Sequence, residues 1–224
     1  MPDESLHVAV VDIGKLTNLG WVVEGPSVKE SGDDIDLCIE ALSGALEKGP
    51  LALGFEAPMF VPYGRKRCDL DKARKGDGDR SFSASAGACV LTKGLVTVPY
   101  ILQGLRQHVE FAKPTFQWRN RLSKGDLLLF EAFVVHVGKS VSHEDCAQLA
   151  LRGFPRDWEE RALFKSKIDE PCTMNLLGAM LLRMGWTKDV KVLREPCLVV
   201  AGREDSNAAA KRSSPTKASL PEGV

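Results

Sequence analysis

The sequence predicts an α/β fold in which strands and helices alternate along the chain. Three apolar runs, residues 7–14, 51–58 and 126–135, have the composition of buried strands. Between the first two runs, residues 34–47 carry apolar side chains at helical spacing and are followed by Gly49-Pro50. A strand, a helix and a strand in this order predict parallel pairing with a right-handed crossover.

The first strand is predicted to open a β-hairpin. An apolar strand reaches Ile13, a turn covers residues 14–18, and the second strand covers residues 19–23 before Gly25-Pro26. A short third strand is expected near residues 27–30. The sheet would therefore be mixed, with antiparallel strands at one side and parallel strands at the other.

The rest of the chain is predicted to form one domain with the hairpin, over residues 1–204. Residues 58–94 are rich in charge, Gly and Ser with little periodicity, which predicts an insertion loop. Residues 205–224 have the composition of a disordered tail. Further predicted elements are helices at 100–111, after a capping box at 142–145, at 156–167 and at 173–186, and a late strand at 190–200.

Composition and charge exclude several classes of protein. Of 224 residues, 44% are hydrophobic and 27% charged, and the 30 basic residues balance the 30 acidic ones. This neutrality argues against a protein that mainly coats nucleic acid, although it allows a local basic patch. We expect no membrane span, since no apolar run approaches about 20 residues. Six scattered cysteines without a CxxC pair indicate reduced thiols and a cytoplasmic protein.

Each of the three apolar runs carries a single carboxylate: Asp12, Glu56 and Glu131. An ionised carboxylate in an apolar sheet is costly unless a cation or hydrogen-bond donors meet it. Three such acids, two of them at or near the ends of their strands, predict a site that binds a metal ion. Structural interpretations stay open: Asp12 can cap its own turn, Glu56 can pair with an arginine, and Glu131 can form an ion pair.

A basic segment follows the second of these strands. Residues 64–80 hold seven basic residues against four aspartates. The segment is either a solvated surface loop or a mobile element that meets an anionic substrate. His136 and His143 show no metal-ligand spacing and are interpreted as surface or core histidines.

The order of elements resembles that of ribonuclease H-like domains. Those domains have a five-stranded mixed sheet, with strands 1–3 antiparallel and strands 4 and 5 parallel to strand 1, flanked by helices. Short motifs are also similar to the DUF429 family of predicted nucleases with this fold. The matching residues are Asp12, Gly20-Trp21, Glu56-Ala-Pro58, Arg67-Cys-Asp69 and Glu131.

This resemblance implies metal-dependent hydrolysis of phosphodiester bonds in nucleic acid, either DNA or RNA, with Mg²⁺ or Mn²⁺. Asp12 would bridge two ions, Glu56 would hold one of them, and Glu131 or Asn175 would assist the other. Asn175 stands where the family has an acid, so the resemblance implies either weak binding of the second ion or lost catalysis. The residues expected to engage flanking phosphates are Arg65, Lys66, Arg67 and Lys15.

Two other functions remain open from the sequence. A non-catalytic ribonuclease H-like binding or scaffold domain with a degraded metal site would account for Asn175 and for the zero net charge. An ATPase or kinase of the actin-like superfamily would account for residues 12–18, which resemble a phosphate-binding loop. Such proteins need a second loop of that form, which the sequence lacks.

Overall fold

A computed structural model of the chain describes residues 5–14, 19–78, 81–134, 142–196 and 198–202. Lys15, the turn after Asp12 and the predicted tail at 205–224 lie outside these residues. The strands are β1 (His7–Asp12), β2 (Gly20–Gly25), β3 (Val28–Gly32), β4 (Leu51–Glu56), β5 (Phe60–Pro62), β6 (Lys113–Thr115), β7 (Asp126–Phe133), β8 (Thr173–Asn175) and β9 (Val199–Ala201).

Seven of these strands form one mixed sheet in the order β3-β2-β1-β4-β7-β6, with β9 also paired to β7. β2 is antiparallel to β1 and β3, whereas the pairs β1–β4, β4–β7, β6–β7 and β7–β9 are parallel. This confirms an α/β fold with a mixed sheet. The prediction of five strands is wrong, because β6 and β9 share the outer edge of β7: β6 pairs with its first half and β9 with its second.

Helices cover both faces of the sheet. They are α1 (Ile35–Lys48), α2 (Ser85–His108), α3 (His143–Gly153), α4 (Trp158–Leu163) and α5 (Leu176–Arg183). On one face, alternate residues of β1 and β4 pack in a core with α1 and α2; on the other, the intervening residues pack with α3. Because side chains alternate along a strand, each strand contributes to both cores.

The predicted loop at 58–94 is only partly irregular. It contains β5, a 3₁₀ turn at Arg67–Asp69 and the start of α2, which begins at Ser85 and not near residue 100. The first turns of α2 consist largely of small residues, and its buried positions begin only at Gly94. The sequence therefore shows no apolar periodicity there, although the chain is helical.

Three later predictions have wrong boundaries. The helix expected at 173–186 starts at Leu176, because residues 173–175 pair with β5 as β8. The strand expected at 190–200 is instead a 3₁₀ helix at Val190–Arg194, capped by Asp189, which is followed later by β9 at Val199–Ala201. The helix expected at 156–167 is the short α4.

Among the described residues, α2 is the one helix long and apolar enough to cross a membrane by length and composition. The sequence expectation of no membrane span stays a prediction. Val98, Ile101, Leu102 and Leu105 of α2 are nevertheless buried against the rest of the protein. α2 is thus a weak indication of a membrane span, and a cytoplasmic location stays a prediction.

Candidate functional site

Asp12 and Glu56 end two adjacent parallel strands and are partners in their register. Neighbouring strands lie about 4.8 Å apart, and paired residues of parallel strands point to the same face. Asp12 is buried and Glu56 is partly buried. The two carboxylates therefore occupy neighbouring positions at one edge of the sheet, on the face covered by α3.

Gly20 allows the start of α3 to approach this edge. It is the antiparallel partner of Asp12. A Cβ at this position would lie 2.2 Å from the backbone carbon of His143 and 2.3 Å from the nitrogen of Glu144. Ser142 and Asp145 form the predicted capping box that begins α3 at His143. The close approach at Gly20 thus brings the positive end of the helix dipole and His143 beside Asp12.

His143 is hydrogen bonded to Asp12, with 2.9 Å between Nδ1 and Oδ1. An ionised carboxylate only accepts hydrogen bonds, so Nδ1 carries the proton in this pair. The His143 side chain is 41% exposed, whereas that of Asp12 is 6% exposed. Burial raises the pKa of Asp12, and the hydrogen bonds of His143 and Cys146 oppose that rise. Solvent can therefore reach the imidazole while the carboxylate stays mostly enclosed.

Cys146 follows His143 by about one helical turn and also contacts Asp12. Burial, together with the carboxylates of Asp12 and Glu56, raises the pKa of Cys146 to about 12. The side chain is thus a neutral thiol at physiological pH. It contributes a hydrogen-bond donor to Asp12.

Glu56 also lines a small open pocket of about 50 Å³ between the strand ends and the start of α2. Ala86, Gly87 and Val90 of α2 form one wall, and Phe133 and Val134 lie on the other side. Arg74 and Glu131 also line this pocket, whereas Asp12 does not. A ligand in it would therefore contact Glu56 and the Arg74–Glu131 pair.

Two adjacent carboxylates suit a single hard divalent cation. Mg²⁺ is often held by only one or two carboxylates because it keeps several of its waters. The parts of the chain that the structure describes contain no group of three or more His, Cys, Asp or Glu side chains placed to hold a metal ion. Asp12 and Glu56 thus fit one hydrated ion better than a pair of ions.

Glu131 lies on the other face of the sheet. Its register partner is Phe55, one residue before Glu56, so the alternation along β4 and β7 turns Glu131 toward the core of α1 and α2. Arg74 donates to both of its carboxylate oxygens, over 2.7 and 2.9 Å, and the backbone nitrogen of Met59 donates to one of them over 2.9 Å. These contacts support the ion-pair interpretation of Glu131.

Arg74 connects two buried acids and the backbone. It also contacts Asp77, with 2.8 Å between Nη2 and Oδ1, and donates to the carbonyl of Phe60 over 2.8 Å. Burial alone would lower the pKa of Arg74, but the carboxylates of Glu131 and Asp77 raise it. Burial raises the pKa of Glu131, and Arg74 opposes that shift. A permanently charged guanidinium therefore holds Glu131 in place.

Asn175 has a structural role at the start of α5. The residue is fully buried, its side-chain oxygen accepts a hydrogen bond from Gly178 over 2.9 Å, and its side-chain nitrogen donates to the carbonyl of Glu195 over 3.2 Å. An amide satisfies a carbonyl acceptor and a backbone donor at once, which an ionised carboxylate does not. The geometry thus explains an asparagine here without reference to a metal ion.

The predicted phosphate-binding residues differ in their surroundings. Arg65 forms a two-bond ion pair with Glu170, over 2.8 and 2.9 Å, and donates to backbone carbonyls of the loop that follows it. Lys66 and Arg67 are exposed. Arg65 therefore stabilises the fold of its own loop, whereas Lys66 and Arg67 are accessible to a ligand.

The sequence interpretation missed His143 and Cys146. Two signals pointed to them: the capping box at Ser142, which fixes the start of α3, and Gly20 on the strand beside Asp12. Neither signal shows that these two segments meet, since the contact depends on tertiary packing.

Comparisons with family models, curated proteins and solved structures found no match for this chain. The resemblance to the DUF429 family and to ribonuclease H-like domains therefore stays a prediction from short motifs. Function is therefore inferred from the positions of the side chains themselves.

Proposed function

We propose that this protein is a divalent-metal-dependent hydrolase of phosphodiester bonds in nucleic acid. The observation that carries the proposal is the register of Asp12 and Glu56 at the ends of two parallel strands, beside the partly exposed His143. The order β3-β2-β1-β4-β7 within the sheet agrees with a ribonuclease H-like arrangement and supports assignment to that fold.

Asp12 and Glu56 are the residues that would hold one Mg²⁺ or Mn²⁺ ion. Such an ion, when bound, supplies an activated water and stabilises the charge on the leaving oxygen. The hydrogen bonds from His143 and Cys146 limit the orientations of the Asp12 carboxylate. Since Nδ1 of His143 is engaged by Asp12, Nε2 is the ring nitrogen that can exchange a proton with substrate or solvent.

We propose one ion and not the two that the resemblance implies. Glu131 faces the other core and is held by Arg74, and both polar groups of the Asn175 side chain are hydrogen bonded. Among the described residues, neither side chain is therefore placed to complete a second site beside Asp12.

The test is cleavage of labelled DNA and RNA oligonucleotides, single-stranded and duplex, with Mg²⁺ or Mn²⁺ and with EDTA. We expect metal-dependent cleavage by the full chain and a loss of at least about 100-fold in the Asp12→Asn variant, the scale of losing an essential catalytic group. Glu30→Gln is the matched control, because Glu30 is an exposed carboxylate on β3. The absence of cleavage, or equal rates for wild type and Asp12→Asn, would refute the proposal.

A non-catalytic scaffold is the second candidate, and the His143–Asp12 hydrogen bond favours it. Asp12 has a protein partner at 2.9 Å and so needs no metal ion to offset its burial. This candidate predicts that neither Asp12→Asn nor the removal of divalent ions changes any binding activity of the protein.

A further inference from the structure

Residues 118–121, between β6 and β7, present two arginines on the surface. Trp118 is buried, whereas Arg119, Asn120 and Arg121 are exposed. The guanidinium carbon of Arg119 lies 4.3 Å from the ring centroid of Trp118, and that of Arg121 lies 4.5 Å from the ring centroid of Trp158. Each guanidinium thus has one face on an indole, which is a cation–π contact.

Side chains of α4 hold the turn at residues 118–121 in place. Arg161 is fully buried and donates to the carbonyls of Trp118, over 2.9 Å, and Asn120, over 3.4 Å. The indole nitrogen of Trp158 donates to the carbonyl of Arg119 over 3.1 Å. These contacts hold the turn before any ligand arrives, which reduces the entropy lost on binding.

An open cavity of about 520 Å³ lies beside Arg119. Its apolar lining includes Phe60, Ile168 and Val199, and Lys165 lies at its border. Phe60 comes just after the carboxyl end of β4, the strand that ends at Glu56. The cavity thus lies next to the segment that follows β4.

The charge around this cavity is positive once its ion pairs are counted. Its two acids are engaged: Asp169 contacts Lys75 over 3.0 Å, and Glu170 contacts Arg65 over 2.8 Å. Arg119 and Lys165 form no ion pair with any residue that the structure describes. The surface thus combines unneutralised cations with apolar walls.

We propose that Arg119, Arg121, Lys165 and the adjoining cavity bind single-stranded nucleic acid. The cations would contact phosphates, and unpaired bases would stack on the outward faces of the two guanidinium groups or enter the apolar cavity. The bases of a duplex are stacked and paired inside it, so they cannot contact the apolar residues of the cavity. The inference rests on the proposed function, because the strand bound here would be the substrate of the site at Asp12 and Glu56.

The test is fluorescence anisotropy with a labelled single-stranded oligonucleotide of mixed sequence, as DNA and as RNA, in EDTA. For Arg119→Ala/Arg121→Ala in the full chain we expect at least about tenfold weaker binding and a salt dependence reduced by about two phosphate contacts. Arg119→Lys/Arg121→Lys keeps the charge but removes the planar stack, so it should show an intermediate loss. The matched control is Lys29→Ala/Lys188→Ala, which removes two exposed cations elsewhere.

Three results would overturn the inference. They are no binding by wild type, equal losses of affinity in Arg119→Ala/Arg121→Ala and in the control Lys29→Ala/Lys188→Ala, or tighter binding of duplex than of single strands. The metal site is tested separately, by cleavage and not by oligonucleotide binding. Cleavage that persists in Asp12→Asn would refute the proposed function but would not affect the inference about the binding surface. Unchanged binding by the arginine variant, with metal-dependent cleavage intact, would refute the surface alone.

Discussion

Buried carboxylates on the two faces of the sheet have different kinds of hydrogen-bond partner. On the α3 face, Asp12 is met by an imidazole that is 41% exposed and by a neutral thiol, next to Glu56. On the opposite face, Glu131 is met by the buried guanidinium of Arg74 and a backbone amide. A buried guanidinium that contacts both oxygens of Glu131 leaves no place for a metal ion, whereas a partly exposed imidazole at one oxygen of Asp12 does. Burial of an acid therefore does not identify a ligand until its partners are known.

The largest expected effect is on the Glu131 face. Arg74→Ala would leave Glu131 and Asp77 buried without their cation, which should lower the free energy of unfolding by about 3–5 kcal/mol. Urea denaturation measures this change. Lys75→Ala is the control, because the exposed Lys75–Asp169 pair should contribute less than about 1 kcal/mol. A loss below about 1 kcal/mol for Arg74→Ala would show that Glu131 does not depend on this ion pair.

An intermediate effect is expected at Gly20, which allows the α3 face to assemble. The Cβ of Gly20→Ala would meet the backbone of His143 at 2.2 Å, so α3 has to shift. We expect a loss of about 1–3 kcal/mol in the free energy of unfolding, as for other overpacked sites. Gly44→Ala in α1 is the matched control, since its Cβ would meet nothing within 4 Å. Unchanged stability and activity in Gly20→Ala would contradict the close approach that brings His143 to Asp12.

The smallest expected effect is at Asn175, whose side chain caps α5. Asn175→Ala removes the cap of α5 and should cost about 1 kcal/mol of unfolding free energy. Asn175→Asp should retain most of the capping, because Asp is also a good N-cap residue. Thermal or urea denaturation distinguishes these variants. A loss of Mn²⁺ binding in Asn175→Ala, with stability unchanged, would instead make Asn175 a ligand.

The sequence predicted the elements whose pattern is local. The parallel pairing of β1 with β4 followed from a strand, a helix and a strand in series, and the start of α3 followed from its capping box. Glu131 lies on the face of the sheet that the alternation along β7 predicts. Its partner Arg74, however, lies in a segment without periodicity, so the sequence pattern did not identify this ion pair. The first half of α2 was missed because small residues give no apolar stripe.

The contacts that define the candidate site are tertiary, and this is why sequence patterns did not find them. His143 reaches Asp12 only because Gly20 lacks a side chain on a strand distant in sequence. In the same way, Arg161 supports the surface at Arg119 through backbone carbonyls, which have no signature in the sequence. The strand patterns thus indicated where acids lie, and packing determined which of them are accessible to a ligand.

The most direct test of the metal site is Mn²⁺ binding measured by isothermal titration calorimetry on the full chain. We predict one Mn²⁺ ion per chain for wild type and for the Glu30→Gln control, with binding lost in Asp12→Asn and in Glu56→Gln. Circular dichroism confirms that each variant is folded. Equal and negligible heats for wild type and Asp12→Asn would contradict the account, because Asp12 and Glu56 would then hold no ion.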